Sequence, residues 1–338
     1  MRTWAGYSFA AAMLLGLPLA LFATGQAENP AAVRASYRRP AAIPFPDSNP
    51  YSDAKHALGE KLFFDPLLSG PKTISCASCH DPARVWTDGL PRAVGVKEMA
   101  LRTPTLVDVA FSEPLGWDGK FADLESVTFG PISSAANMDI TEQELITRLA
   151  TAPGYADAFR RAYGDTNVTR PRIEQALATF ERTITAGEAP FDRWIMGDEA
   201  AIDARAKRGF ALFNGKANCA ACHNGPSFTD GSFHDIGTAV GDDIGRGQMF
   251  PNSVKLRYAF KTPTLRDVAR RPPYMHNGSA ATLQEVIDLY DKGGIDRPSR
   301  SPEIKPLGLT TDEKADLMAF LQTLNGAPAI ATGSPPLR

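Results

Sequence analysis

Cys76-Ala77-Ser78-Cys79-His80 and Cys219-Ala220-Ala221-Cys222-His223 hold all four cysteines of this 338-residue chain and two of its five histidines. Cys-x-x-Cys-His is the attachment signature of a c-type haem: both thiols bond the porphyrin and the adjacent His meets the iron. Two intervening residues put both sulfurs on one porphyrin edge, and the next residue turns its imidazole under the metal. A four-thiolate zinc site or a thioredoxin-like redox pair uses similar Cys spacing. Neither demands a His after both pairs, and no thioredoxin-like strand pattern surrounds either motif. Two disulfides are the remaining alternative for an exported chain. The repeated His favours two covalent haems, attached at Cys76, Cys79, Cys219 and Cys222, with His80 and His223 as iron ligands.

Working outward from the motifs, the chain repeats itself. Gly59-x-x-Leu62-Phe63 precedes the first motif and Gly209-x-x-Leu212-Phe213 the second. Downstream, Arg102-Thr103-Pro104-Thr105-Leu106-Val107-Asp108-Val109-Ala110 matches Lys261-Thr262-Pro263-Thr264-Leu265-Arg266-Asp267-Val268-Ala269. Fourteen residues after Thr103 stands Trp117-Asp118-Gly119, and fourteen after Thr262 stands His276-Asn277-Gly278. Seven further on, Leu124 pairs with Leu283, and seven beyond that Pro131 pairs with Tyr290. If these last two are distal positions, the irons differ: proline offers no donor atom, whereas tyrosine offers a phenolate oxygen. From spacing alone, Tyr290 reads equally well as a core aromatic beside Val286 and Ile287.

The flanking pattern is helical. Thr282 and Glu285 form a capping box for a helix carrying Val286, Ile287, Leu289 and Tyr290, stopped at Gly293-Gly294. Thr141 with Glu144 opens another, and Thr169 with Pro171 opens a third bearing Ile173, Ala176, Leu177, Phe180 and Ile184. A last helix starts near Thr311 and ends at Asn325-Gly326. Sustained strand alternation is absent, so the expectation is an all-α protein of two cytochrome c-like domains related by internal duplication. Residues 1–27 read as a signal peptide: Arg2, an apolar run from about Tyr7 to Phe22, and small residues before a cut after Ala27. Residues 28–50 read as an extended lead-in, 51–190 as the N-terminal domain, 191–327 as the C-terminal domain and 328–338 as a tail. A single membrane anchor is the alternative for the apolar run, which falls short of the ~20 residues of a comfortable span. Lys and Arg number 36 against 38 Asp and Glu, a balance that argues against a nucleic-acid binder. Nothing after the leader is apolar enough to span a bilayer.

The segments Gly59-Glu60-Lys61-Leu62-Phe63-Phe64-Asp65-Pro66, Trp117-Asp118-Gly119 and Pro273-Tyr274-Met275-His276-Asn277-Gly278, with both Cys-x-x-Cys-His motifs, resemble the bacterial dihaem cytochrome c peroxidase/MauG family from about Ser52 to Asn325. In the peroxidases of that family, the residue at the position of Tyr290 is a Met ligand to the second haem; in MauG it is a Tyr. The resemblance therefore implies His223 and Tyr290 as the two ligands of the second haem. It also implies that Trp117 lies between the haems as an electron relay. A phenolate favours the more oxidised iron states and a thioether the reduced one. Val96 stands where many of the peroxidases carry a His that caps the first haem, so the haem on His80 is expected to meet peroxide without reductive activation. Trp86 reads as packing, His276 as support for the second haem pocket, His56 as a surface residue, and His234 has no readable role.

Three positions depart from MauG. Its distal Glu is Asn137 here, before Met138, so the proton for peroxide would come from Asp139, Asp118 or water. Its surface Trp near the second motif is Ala217. Its interhaem calcium ligand aligns with Arg102, a cation, which makes calcium doubtful. The resemblance implies a periplasmic dihaem oxidoreductase in which hydrogen peroxide forms a high-valent dihaem state that oxidises a partner protein at long range. MauG itself acts in this way on tryptophans of methylamine dehydrogenase, and the relative MbnH on a tryptophan of a copper-binding partner. A plain peroxidase fed by a small cytochrome or cupredoxin is the alternative, and a non-catalytic electron-transfer cytochrome is a third reading.

Overall fold

The computed structural model describes Met1 and residues 30–326. The signal peptide with its cut after Ala27 and the 328–338 tail lie outside the described residues. The chain is helical: α1 (Pro30–Ser36), α2 (Asp53–Phe64), α3 (Cys76–Cys79), α4 (Leu124–Val127), α5 (Phe129–Ser133) and α6 (Glu142–Thr151) come first. There follow α7 (Tyr155–Tyr163), α8 (Arg170–Arg182), α9 (Pro190–Ile195), α10 (Ala204–Asn214), α11 (Leu283–Lys292) and α12 (Thr311–Gln322). One small antiparallel ribbon joins β1 (Phe233–His234) to β2 (Phe260–Lys261), with Phe233 opposite Lys261.

Local chemistry sets most helix starts. Thr282 Oγ1 accepts from Glu285 N at 3.2 Å and Glu285 Oε2 accepts from Thr282 N at 3.4 Å, closing the box at the head of α11. Gly293, in the left-handed region at φ +82, ends that helix. Thr141 caps α6 through the Glu144 amide at 3.3 Å. Thr169 holds the cap position of α8 with extended backbone, as expected, although its side chain makes no capping bond. The fixed φ of Pro171 inside the first turn remains as the local signal for that helix.

Two hydrophobic cores form. The first includes Leu62, Phe63, Trp86, Leu145 and Phe180, the second Phe191, Phe213, Phe228, Phe320 and Leu324. Each is built on one helix crossing. At Gly59 a Cβ would lie 1.9 Å from Ala176 O and 2.9 Å from Phe180 Cβ; at Gly209 it would lie 2.0 Å from Asp316 O and 2.7 Å from Phe320 Cβ. No side chain fits at either place, so α2 meets α8, and α10 meets α12, backbone to backbone. These matched contacts put α8 and α12 in register, with 176 against 316 and 180 against 320.

The lead-in is not extended throughout. Residues 30–36 form α1, and Tyr37, 1% exposed, lies in the second core although the first domain follows it in sequence. Its hydroxyl donates to Asn214 Oδ1 at 2.9 Å, and its ring meets Phe191 and Phe210 edge-on at 5.9 and 5.5 Å. By Asn49 the chain has reached the first domain, where the side-chain amide donates to Glu125 Oε1 at 2.8 Å. His56 is also not a surface residue. It is buried on the α2 face turned to α8, 3.2 Å from Thr183 Oγ1, and burial lowers its pKa. No helix among the described residues is long and apolar enough to cross a membrane.

Candidate functional site

The first motif makes the single turn α3, headed by Ser75, whose amide donates to Ser78 Oγ at 3.0 Å. His80 follows, with Nδ1 3.2 Å from the Trp86 carbonyl. In the second motif His223 Nδ1 lies 2.9 Å from the Phe228 carbonyl. A carbonyl only accepts, so Nδ1 carries the proton in both rings and Nε2 keeps its lone pair. Trp86 and Phe228 both sit in the left-handed region, at φ +58 and +53, a conformation that costs about 1 kcal/mol for a non-glycine residue. The same cost appears twice, each time at the carbonyl that orients a motif histidine.

Each motif opens on its own cavity. The first, about 430 Å³, is lined by Cys76, Cys79 and His80, and by Pro131, Asn137 and Glu181. The second, about 180 Å³, is lined by Cys219, Cys222 and His223, and by Tyr290 and Leu321. Pro131 and Tyr290, paired by the repeat, thus face different cavities. Burial pushes the Tyr290 phenol above its ordinary value, with the neighbouring Cys219 and Cys222 adding to the effect. None of the four cysteines is in a disulfide.

Trp117 borders both cavities. Its Nε1 donates to Arg102 O at 2.9 Å, and its carbonyl accepts from Lys261 N at 2.9 Å. Arg246 donates to the next two carbonyls, Asp118 O at 2.6 Å and Gly119 O at 3.1 Å. Gly119 has φ +69, and a Cβ there would lie 2.1 Å from the Phe233 ring; this explains the glycine of Trp117-Asp118-Gly119. His276, at the repeat-equivalent position, stacks on Phe260 at 3.6 Å and binds Asp243 Oδ2 through Nε2 at 2.7 Å.

The wall between the cavities is cationic. Arg102, Lys261 and Arg271 line both. Burial pulls Lys261 down to about 8, and burial with the nearby Arg102 charge pulls Arg271 down to about 10. Arg102 Nε is buried, with no hydrogen-bond partner among the described residues. A buried, unpaired guanidinium N–H is costly unless an anion completes it. The carboxylate edges of a porphyrin suit that requirement. With two thiols and one imidazole lone pair at each cavity, the residues fit two covalent haems.

The remaining candidates fall out as follows. The Asn137 carbonyl accepts from Val96 N at 2.8 Å, which straps the Val96 loop to the edge of the first cavity. Asp118 and Asp139 do not border that cavity. Ala217 is buried in the second core. Trp86 is buried in the first. His234 Nε2 bonds Asp230 Oδ2 at 2.7 Å, and that bond is the main reason its pKa rises to about 10. His234 and Asp230 lie beside Cys222, whose sulfur belongs to the second motif. Lys261, Arg271 and Glu181 were missed as lining residues, although the repeat pairs Lys261 with Arg102 and so hinted at the first of them.

Residues 53–200 match the family model described as di-haem cytochrome c peroxidase, and residues 206–325 match that of cytochrome c. The chain is 50% identical over 306 residues to the methylamine utilization protein MauG of Methylorubrum extorquens, covering 89% of this chain and 87% of that one. It is 33% identical over 276 residues to the cytochrome c551 peroxidase of Nitrosomonas europaea, covering 80% and 79%. The crystal structure of a MauG-like protein associated with microbial copper homeostasis superimposes with a TM-score of 0.79 at 28% identity, over 86% of this chain and 94% of that one. Two duplicated helical domains, each with a Cys-x-x-Cys-His motif opening on its own cavity, and these similarities lead to one conclusion: the chain belongs to the di-haem cytochrome c peroxidase/MauG family, a peroxidase-type oxidoreductase with haem c in two cytochrome c-type domains.

Proposed function

We propose that this dihaem oxidoreductase works in the MauG manner: peroxide enters the cavity at His80, the cavity at His223 and Tyr290 shares the oxidising equivalents, and the electrons come from a partner protein in the periplasm. The observation that carries this reading is the separation of Pro131 and Tyr290 into two cavities that share Trp117. Similarity at 50% identity to a MauG supports it.

Bound haem supplies the iron that cleaves the peroxide O–O bond. The chain supplies the rest. Cys76 and Cys79, then Cys219 and Cys222, hold the two porphyrins through thioether bonds, and His80 and His223 present Nε2. Pro131 offers no donor atom to the first cavity, which keeps the peroxide position open. Tyr290 brings an oxygen ligand to the second. Reducing one peroxide to two waters takes two electrons and two protons. Asn137 can hydrogen-bond peroxide but cannot donate a proton to the reaction, so protons arrive through water. Trp117 is the aromatic group between the two sites. Arg102 puts a cation where the resemblance places a calcium ligand, so calcium is doubtful at this wall and no residue is assigned to it. The leader reading places the mature chain in the periplasm, with neither a membrane span nor a nucleic-acid partner.

A plain peroxidase drawing on a small cytochrome or cupredoxin is the second reading, favoured by the 33% identity to a cytochrome c551 peroxidase. Val96 and Tyr290 argue against it. The deciding test is stoichiometric hydrogen peroxide added to the fully ferric protein without reductant, with both irons followed by EPR and Mössbauer spectroscopy. Loss of both ferric signals supports the MauG-like reading. A protein that stays silent until one haem is reduced would refute it in favour of the peroxidase.

A further inference from the structure

The matched crossings at Gly59 and Gly209 put Leu177 of α8 level with Leu317 of α12, and Glu181 level with Leu321. All four side chains line their own cavities. At the first pair the two halves agree. At the second, an acid stands in the His80 cavity where a leucine stands in the His223 cavity.

We propose that Glu181 is a functional residue of the first cavity: it gives up a proton as the haem held at His80 is oxidised, and so ties the potential of that haem, but not of its neighbour, to pH. The inference rests on the assignment of a haem to Cys76, Cys79 and His80. Glu181 is partly open to the cavity it lines, and among the described residues its side chain has no hydrogen bond or ion pair. Its neighbour Arg182 is already committed, donating to both oxygens of Glu125 on α4 at 2.6 and 2.7 Å. On α2, Lys55 bonds Asn49, His56 bonds Thr183, Lys61 lies over the Tyr155 ring, Asp53 accepts from Tyr51, and Glu60 is exposed. From α3 the group facing it is Cys76, a neutral thioether once haem is attached. Across the cavity lie His80, Arg102, Lys261 and Arg271.

A carboxyl on a largely apolar cavity wall without a bound cation favours its proton, and burial, opposed by Arg182 and reinforced by Glu125, pushes Glu181 up to about 8. Oxidation of the nearby iron adds one positive charge and favours the carboxylate. The balanced step takes one electron from the ferrous haem to the electrode mediator and one proton from Glu181 to solvent. While both occur together, each pH unit changes the equilibrium tenfold, about 59 mV for a one-electron couple. Leu321 has no proton to give.

Spectroelectrochemical titration of the intact dihaem protein tests this from about pH 6 to about pH 9, a range that brackets the Glu181 value. Wild type, Glu181→Gln and Glu181→Leu are compared; the last copies the second cavity and so preserves the packing. The expected result is a potential at the His80 haem that falls as pH rises, approaching a tenfold change per unit, and flattens in both variants while the second haem is unaltered. A flat wild-type profile, or a slope that survives in Glu181→Gln, would overturn the proposal. Absence of a covalent haem at Cys76 and Cys79 in wild type would overturn the reading beneath it as well, and a haemochrome assay separates that outcome from the others.

Discussion

The two halves of the molecule repeat one scaffold and furnish it differently. Each has a glycine crossing, a one-turn or shorter helix at the motif, a left-handed residue whose carbonyl orients a histidine, and a cavity beyond. The first cavity is larger and holds Pro131 and Glu181; the second is smaller and holds Tyr290 and Leu321. At the third repeat pair, Trp117 borders both cavities and His276 is tied to Asp243. Duplication thus preserves the parts that fit a haem, while single substitutions give each cavity a different lining.

The likeness is most easily broken at the crossings. Gly59→Ala or Gly209→Ala should each cost about 3 kcal/mol of stability through overpacking, seen as a lowered denaturant midpoint; an unchanged midpoint would show that the helices separate easily. The difference between cavities should collapse in Tyr290→Phe. Oxidation of the partner protein after peroxide addition is expected to fall about 100-fold, equivalent to about 2.7 kcal/mol of barrier, and a full rate would remove Tyr290 from the mechanism. Trp117→Phe keeps an aromatic ring but loses the bond to Arg102 O. We expect about a tenfold slower loss of the second ferric signal after peroxide, or about 1.4 kcal/mol, by freeze-quench EPR. The smallest effect concerns the shared wall: prolonged chelation should leave both haem spectra unchanged, whereas Arg102→Asn should become chelator-sensitive. Sensitivity in the wild type would restore calcium to the site.

How much of this was readable beforehand depends on the range of the interaction. The motifs and the repeat are local or fixed in register, so the separate positions of Pro131 and Tyr290 followed from counting, whereas the place of Trp117 between the sites came from the family resemblance. Packing between distant segments left no such trace. α1 lies in Pro30-Ala31-Ala32-Val33-Arg34-Ala35-Ser36, too short for a periodic signal, and Tyr37 owes its burial to residues more than 150 positions away. His56 read as exposed because part of what buries it, Phe180 and Thr183, lies more than 120 residues further along the chain. Glu181 was passed over because a glutamate among Leu177, Phe180 and Ile184 reads as a solvent-facing position. Its significance depends on which residue of α12 stands level with it.

The placement of Tyr37 has a practical consequence for protein engineering. The segment lies ahead of the first domain in the chain, yet its ring fills a socket made by Phe191, Phe210 and Phe228 of the second. A chimera assembled by cutting between the domains would carry this ring with the wrong half, and an isolated second half would be made with an empty socket. Exchange of halves between relatives therefore requires two cuts, one after the lead-in and one between Ala186 and Phe191. The shortest well-packed version of the second half is discontinuous in sequence.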